Sequence, residues 1–149
     1  MLVRFVVLAL SIAVAACSAP PPRTDADSVQ VDYYIDKLPD RGFVSQYGDN
    51  DNPRTWYKAA EALGQIGKPA IPALIARLDT PDPYELKLVL YALMLASQDP
   101  ALLQETGGHY LQLSTVLTEE TNDENRDRAC EWWRRVKQRI RVHGDYSIK

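Results

Sequence analysis

Residues 59–78 read AAEALGQIGKPAIPALIARL, two apolar runs separated by a glycine and a proline. Starting at Trp56, the residues Trp56, Ala59, Ala60, Leu63 and Ile66 recur at helical spacing, and Gly67 stands where a C′ residue belongs. Asn52-Pro53 upstream supplies an N-cap and a proline suited to the first helical position, which predicts a helix starting there. Lys68-Pro69 opens a second helix, whose Ile71, Leu74, Ile75 and Leu78 form an i, i+3, i+4, i+7 stripe. Pro72 still falls in its first turn, where proline is tolerated. With a residue or two between them, the two helices must fold back on each other as an αα-hairpin.

Working outward, DTPDP at residues 79–83 places Asp82 as N-cap and Pro83 at the first position of a third helix. Leu86, Val89, Leu90, Leu93 and Met94 form one stripe on it, and Leu88, Tyr91 and Leu95 a second. A helix apolar nearly all round is expected at the centre of the domain. Asp99-Pro100 repeats the cap-plus-proline signal. Gly107-Gly108 then ends the fourth helix near Glu105, because two glycines inside it would cost about 2 kcal/mol. An irregular or short extended stretch is expected through HYLQLSTVL, residues 109–117. The last helix opens on Thr121-Asn122-Asp123-Glu124, a capping-box pattern, and is predicted to run to about Ile140. Ala129, Trp132, Trp133, Val136 and Ile140 mark its buried side. Adjacent helical residues point about 100° apart, so one of the two tryptophans is core and the other lies at an edge. Cys130, beside Ala129 and Trp133, is expected to be a buried, inert thiol.

Upstream of residue 53 the pattern is weak. VQVDYYIDKL (29–38) fits a short helix or a strand, and PDRGFVSQYGDNDNP (39–53) reads as a loop rich in turn residues. Asp49, Asn50, Asp51 and Asn52 lack the glycine and distal glutamate of a calcium loop and are turn residues.

Pro69-Ala70-Ile71 superimposes on Pro100-Ala101-Leu102 at a spacing of 31, and Ala62-Leu63 on Ala92-Leu93 at 30. A period near 30 with two helices per unit points to a helical repeat; an unrelated helical bundle is the alternative. The first unit resembles the HEAT repeat in its short bacterial form at Ala59, Leu63, Gly67, Pro69, Ile71, Leu74, Leu78 and Asp82. Leu86 and Lys87 stand where that family favours valine and arginine. In the second unit Ser97 replaces the inter-helix glycine and Gly107-Gly108 interrupts the second helix. The resemblance covers residues 54–103. It implies an all-α fold, a small HEAT-like (armadillo-like) helical-hairpin repeat domain with capping helices, because about three repeats are needed for a stable stack.

The front of the chain carries a different signal. Arg4 is a short positive n-region, and residues 5–16 form an apolar run of about twelve residues, well short of the roughly 20 that span a membrane. This predicts a secretory signal peptide over residues 1–16. The stretch Val14-Ala15-Ala16-Cys17 resembles the lipobox of bacterial lipoproteins. That resemblance implies cleavage before Cys17, a diacylglyceryl group on its thiol and acylation of the new amino terminus. More than one acyl chain makes such anchoring stable, at about 0.8 kcal/mol per buried methylene. Ser18, where an aspartate commonly marks retention at the inner membrane, favours the outer membrane, facing the periplasm. Residues 17–28, with Pro20, Pro21 and Pro22 and no large apolar residue, read as a tether, and residues 29–149 as one domain.

The chain has 17 Lys and Arg against 20 Asp and Glu, so it has no global nucleic-acid signature. The charge is uneven, however. From Arg126 onward basic residues outnumber acidic ones, and Arg134, Arg135, Lys137, Arg139 and Arg141 are candidate contacts for an anionic lipid or envelope polymer; a solvated helix face is the simpler explanation. His109 and His143 have no companion at ligand spacing, so no metal or cofactor is expected. No nucleophile elbow, phosphate loop or dinucleotide fingerprint occurs. The sequence therefore points to a lipid-anchored, non-catalytic scaffold or adaptor for a protein partner in the bacterial envelope. The alternative is a module binding anionic lipid or polymer through the basic helix. An enzyme would need a titrating cluster that the sequence does not offer.

Overall fold

The computed structural model describes residues 25–140, which form, in chain order, α1 (Asp25–Lys37), a β-hairpin of β1 (Val44–Tyr47) and β2 (Arg54–Tyr57), α2 (Lys58–Ile66), a 3-10 turn (Lys68–Ala70), α3 (Ile71–Ala76), α4 (Pro83–Ala96), α5 (Pro100–Thr106) and α6 (Asn122–Val136). The expected signal peptide, Cys17, most of the tether, Arg141 and His143 lie outside the described residues.

The fold is all-α and HEAT-like, with one small hairpin. α1 packs on α2, α2 on α4 and α4 on α6, while the 3-10 turn and α3 lie against α1 and α4. α4 is the central element, burying Leu86, Leu88, Val89, Leu90, Ala92, Leu93 and Ala96. Each fully buried leucine contributes roughly 1.5–3 kcal/mol through its removal from water. Leu63 from α2, Ile71 and Leu74 from α3, Leu102 from α5 and Leu111 from the irregular stretch close the core around it.

Both Asp-Pro starts are as the sequence predicts. The Asp82 carboxylate accepts from the Tyr84 N–H at 3.0 Å, and the Asp99 carboxylate from the Ala101 N–H at 2.8 Å. Gly107, at φ 68°, ends α5 in the left-handed conformation.

Several expectations are corrected. Of the helix or strand expected over residues 29–38 it is the helix that forms, ending at Lys37, and α1 already includes residues 25–28, which were expected to belong to the tether. The expected helix start at Asn52-Pro53 gives way to a strand. Arg54–Tyr57 pairs antiparallel with Val44–Tyr47, in the register Val44↔Tyr57 to Tyr47↔Arg54, so most of the loop foreseen over residues 39–53 is a hairpin. Thr55, Trp56 and Tyr57 favour a pleated surface, and four cross-strand pairs outweigh a local capping signal. The capping box at Thr121 does not form: its hydroxyl donates to the Thr115 carbonyl at 2.6 Å instead. α6 ends at Val136, four residues before Ile140.

α2 and α4 are also joined through polar atoms. The Tyr91 hydroxyl donates to Glu61 Oε1 at 2.5 Å. Burial first, then the hydrogen bond and charge of Glu61, hold the Tyr91 pKa above the usual tyrosine value. A group whose folded pKa is raised stabilises the fold in full below its unfolded value, about 10, and loses that contribution as pH climbs through the folded value. Urea midpoints are therefore expected to fall as pH rises above about 10, and Tyr91→Phe to flatten that decline.

Candidate functional site

The turn between α2 and the 3-10 turn is built on Gly67, at φ 73° and ψ −133°. One carboxylate, that of Asp99, serves this joint and the start of α5. Asp99 Oδ1 accepts from Ala101, capping α5, while Asp99 Oδ2 accepts from the Lys68 N–H at 2.8 Å, capping the 3-10 turn that leads into α3. Lys68 and Asp99 are 31 residues apart, the repeat spacing itself, so the aspartate of the second unit caps the equivalent position of the first. Lys68 Nζ adds an ion pair to Glu105 at 2.6 Å. At the next joint, Ser97 takes the place of the glycine. It is fully buried, its hydroxyl donates to the Met94 carbonyl at 2.8 Å, and it accepts from the Leu111 N–H at 3.0 Å.

The face with most to offer a partner is on the hairpin. In its register Ser45 opposes Trp56 and Tyr47 opposes Arg54, so Ser45, Tyr47, Arg54 and Trp56 share one side. Tyr47 and Trp56 meet edge to face, with ring centroids 6.1 Å apart, yet remain 49% and 42% exposed. The opposite side is partly covered: Val44, Thr55 and Tyr57 are half-buried, Tyr57 packs against Tyr84, and the exposed Gln46 bonds to Thr55. Sequence reasoning placed Trp56 in a helical core stripe and did not single out Tyr47. The alternation in Arg54–Tyr57 is the signal that identifies this face, and it becomes decisive only with the register.

The basic candidates sit at the end of α6 and in the turn after it. Arg134, Arg135, Lys137 and Arg139 are all exposed. Arg135 is paired with Glu131 one turn earlier, and Arg139 reaches the Thr106 carbonyl at 3.4 Å. The Arg135 guanidinium holds the Glu131 carboxyl below the usual glutamate value. Trp132 is buried and Trp133 half-buried, with ring centroids 6.4 Å apart. Cys130, expected to be buried, is exposed. The buried stripe of α6 runs through Asn122, Asn125, Ala129, Trp132 and Val136, and Cys130 is turned about 100° from Ala129.

The one acidic side chain that is almost wholly buried, Glu85 among the described residues, is held by the Thr80 hydroxyl at 2.5 Å and by Arg77 at 3.4 Å, and Arg77 also reaches Asp36 on α1. This is a tie between helices. Among the described residues no group of three His, Cys, Asp or Glu side chains is placed to hold a metal ion, and no single helix is long and apolar enough to cross a membrane.

No curated protein and no solved structure matches the chain significantly. The kinship that is visible coincides with the first helical hairpin: residues 57–80, from the end of β2 through α3, match the family described as PBS lyase HEAT-like repeat, and repeats of this kind serve in general as protein-interaction scaffolds.

Proposed function

We propose that this protein is a membrane-anchored periplasmic lipoprotein, held by acyl chains on Cys17, whose HEAT-like domain is a non-catalytic scaffold for a protein partner in the envelope. The observation that carries the scaffold reading is the rigid aromatic pair Tyr47–Trp56, exposed on the outward face of a hairpin joined to the matched repeat. Exposed aromatics with little rotamer freedom to lose are the side chains that anchor protein interfaces. The anchor reading is supported by the resemblance of Val14–Cys17 to a lipobox, and the outer-membrane assignment by Ser18. A second reading, contact with anionic lipid or polymer, is favoured by the exposure of Arg134, Arg135, Lys137 and Arg139. Two of these four already have acceptors within the chain, which weakens it.

The test is affinity capture of the tagged full chain from its own envelope after mild crosslinking, beside Cys17→Ala and Trp56→Ala. A defined protein whose recovery falls about tenfold or more with Trp56→Ala supports the scaffold reading. Trp56→Ala is expected to leave the chain folded, as checked by circular dichroism, because Trp56 is exposed and lies outside the buried core. Loss of membrane association with Cys17→Ala supports the anchor. Recovery of lipid or cell-wall material alone, released by salt, would transfer the role to the basic end of α6.

A further inference from the structure

α1 and α6 are the outermost layers of the packing order, with α2 and α4 between them. Their charges are opposite. α1 carries Asp27, Asp32 and Asp36 against Lys37 alone, whereas the stretch from Cys130 to Ile140 carries Arg134, Arg135, Lys137 and Arg139 against Glu131 alone. On α1 the exposed carboxylates of Asp32 and Asp36 flank an exposed apolar pair, Val29 and Tyr33, four residues apart and 66% and 50% exposed. Asp36 touches Arg77 with 78% of its side chain still exposed, and Arg135 pairs with Glu131 with 70% exposed, so both retain room for another partner. Lys37 on α1 pairs with Asp40, and Arg41 just after it with Asp82. The two helices are 13 and 15 residues long, each about 20 Å, so one can lie along the other.

We propose that copies of this chain associate head to tail, the acidic outer face of α1 in one copy seating the basic end of α6 from the next. The two surfaces differ, so the contact is heterologous and does not close on itself as a two-fold dimer does. One helix laid on another makes a small interface, which gives weak, salt-sensitive assembly. This holds whether or not the chain is anchored at Cys17.

Sedimentation of the purified full chain tests it. The average mass should rise with concentration at about 0.02 M salt and return to the monomer at about 0.5 M. D32K/D36K has two basic ends and R134E/R135E two acidic ends; each alone should associate about tenfold more weakly than the parent, and an equimolar mixture should associate again. A monomer at every concentration, association indifferent to salt, or a mixture that fails to recover would overturn the proposal. Circular dichroism checks that both variants fold. Should either variant misfold, crosslinking decides. In a Cys17→Ser, Val29→Cys background, a short bismaleimide should join Cys130 of one copy to the V29C thiol of the next. Links mainly between Cys130 and Cys130 would mean a two-fold contact and sink the head-to-tail arrangement.

Discussion

Gly67→Ala is expected to lower the unfolding free energy by about 3 kcal/mol, seen as a lower urea midpoint at unchanged slope. Two separate penalties act. At φ 73° and ψ −133° the backbone is in a region that only glycine enters without strain. A Cβ there would also lie 2.4 Å from Asp99 Oδ2, the oxygen that accepts from the Lys68 N–H. Asp99→Ala alone should cost about 2 kcal/mol, since it uncaps α5 and leaves the Lys68 N–H without its acceptor. Combining the two should cost less than their sum, because removing the carboxylate removes the clash but not the backbone strain. Strict additivity, or a cost below about 1 kcal/mol for Gly67→Ala, would show that the carboxylate does not crowd this joint.

Asn125→Leu should cost a similar amount, about 3 kcal/mol, although leucine is apolar and fills a comparable space. The Asn125 side chain is 1% exposed. It accepts from the Ser114 N–H and hydroxyl at 3.1 and 3.2 Å and donates to the Thr115 carbonyl at 3.0 Å and the Thr121 hydroxyl at 3.3 Å. It therefore holds the irregular stretch onto α6, and leucine would leave the Ser114 N–H without its acceptor and the Thr115 carbonyl with the Thr121 hydroxyl alone. Amide hydrogen exchange at Ser114 is the direct check. Protection there should be lost in Asn125→Leu and retained in Asn125→Asp, which keeps the acceptor. Equal protection in all three proteins would assign the ordering of the stretch to other contacts.

What the sequence could and could not disclose follows from the range of each interaction. The Asp82 and Asp99 caps were legible because each carboxylate serves an N–H two residues on. The HEAT-like hairpin was legible because its apolar stripe repeats within a few turns. The β-hairpin was not, since the strand character of Arg54–Tyr57 depends on partners about ten residues away, and Asn52-Pro53 beside it mimics a helix start. The Tyr47–Trp56 face was hidden for the same reason: two residues share a sheet face only once the register is fixed. Cys130 was misplaced because the buried stripe of α6 contains Asn122 and Asn125, which a count of apolar residues passes over. The solvent exposure of Arg134, Arg135, Lys137 and Arg139 needed only their polarity. The dual service of Asp99 spans one repeat period and emerged only when the two units were stacked.

Ser97 bears on how such a chain can change in length. A solenoid grows when a unit is duplicated, and duplication succeeds when every joint is interchangeable. Here the two joints are not equivalent: Gly67 turns the backbone at positive φ, whereas Ser97 stays right-handed at φ −68° and spends its hydroxyl on the Leu111 N–H. A copied unit inserted after α5 would have to displace that N–H and the stretch leading to α6. One buried hydroxyl thus ties this joint to the stretch that leads to α6, and lengthening the stack there means breaking that tie.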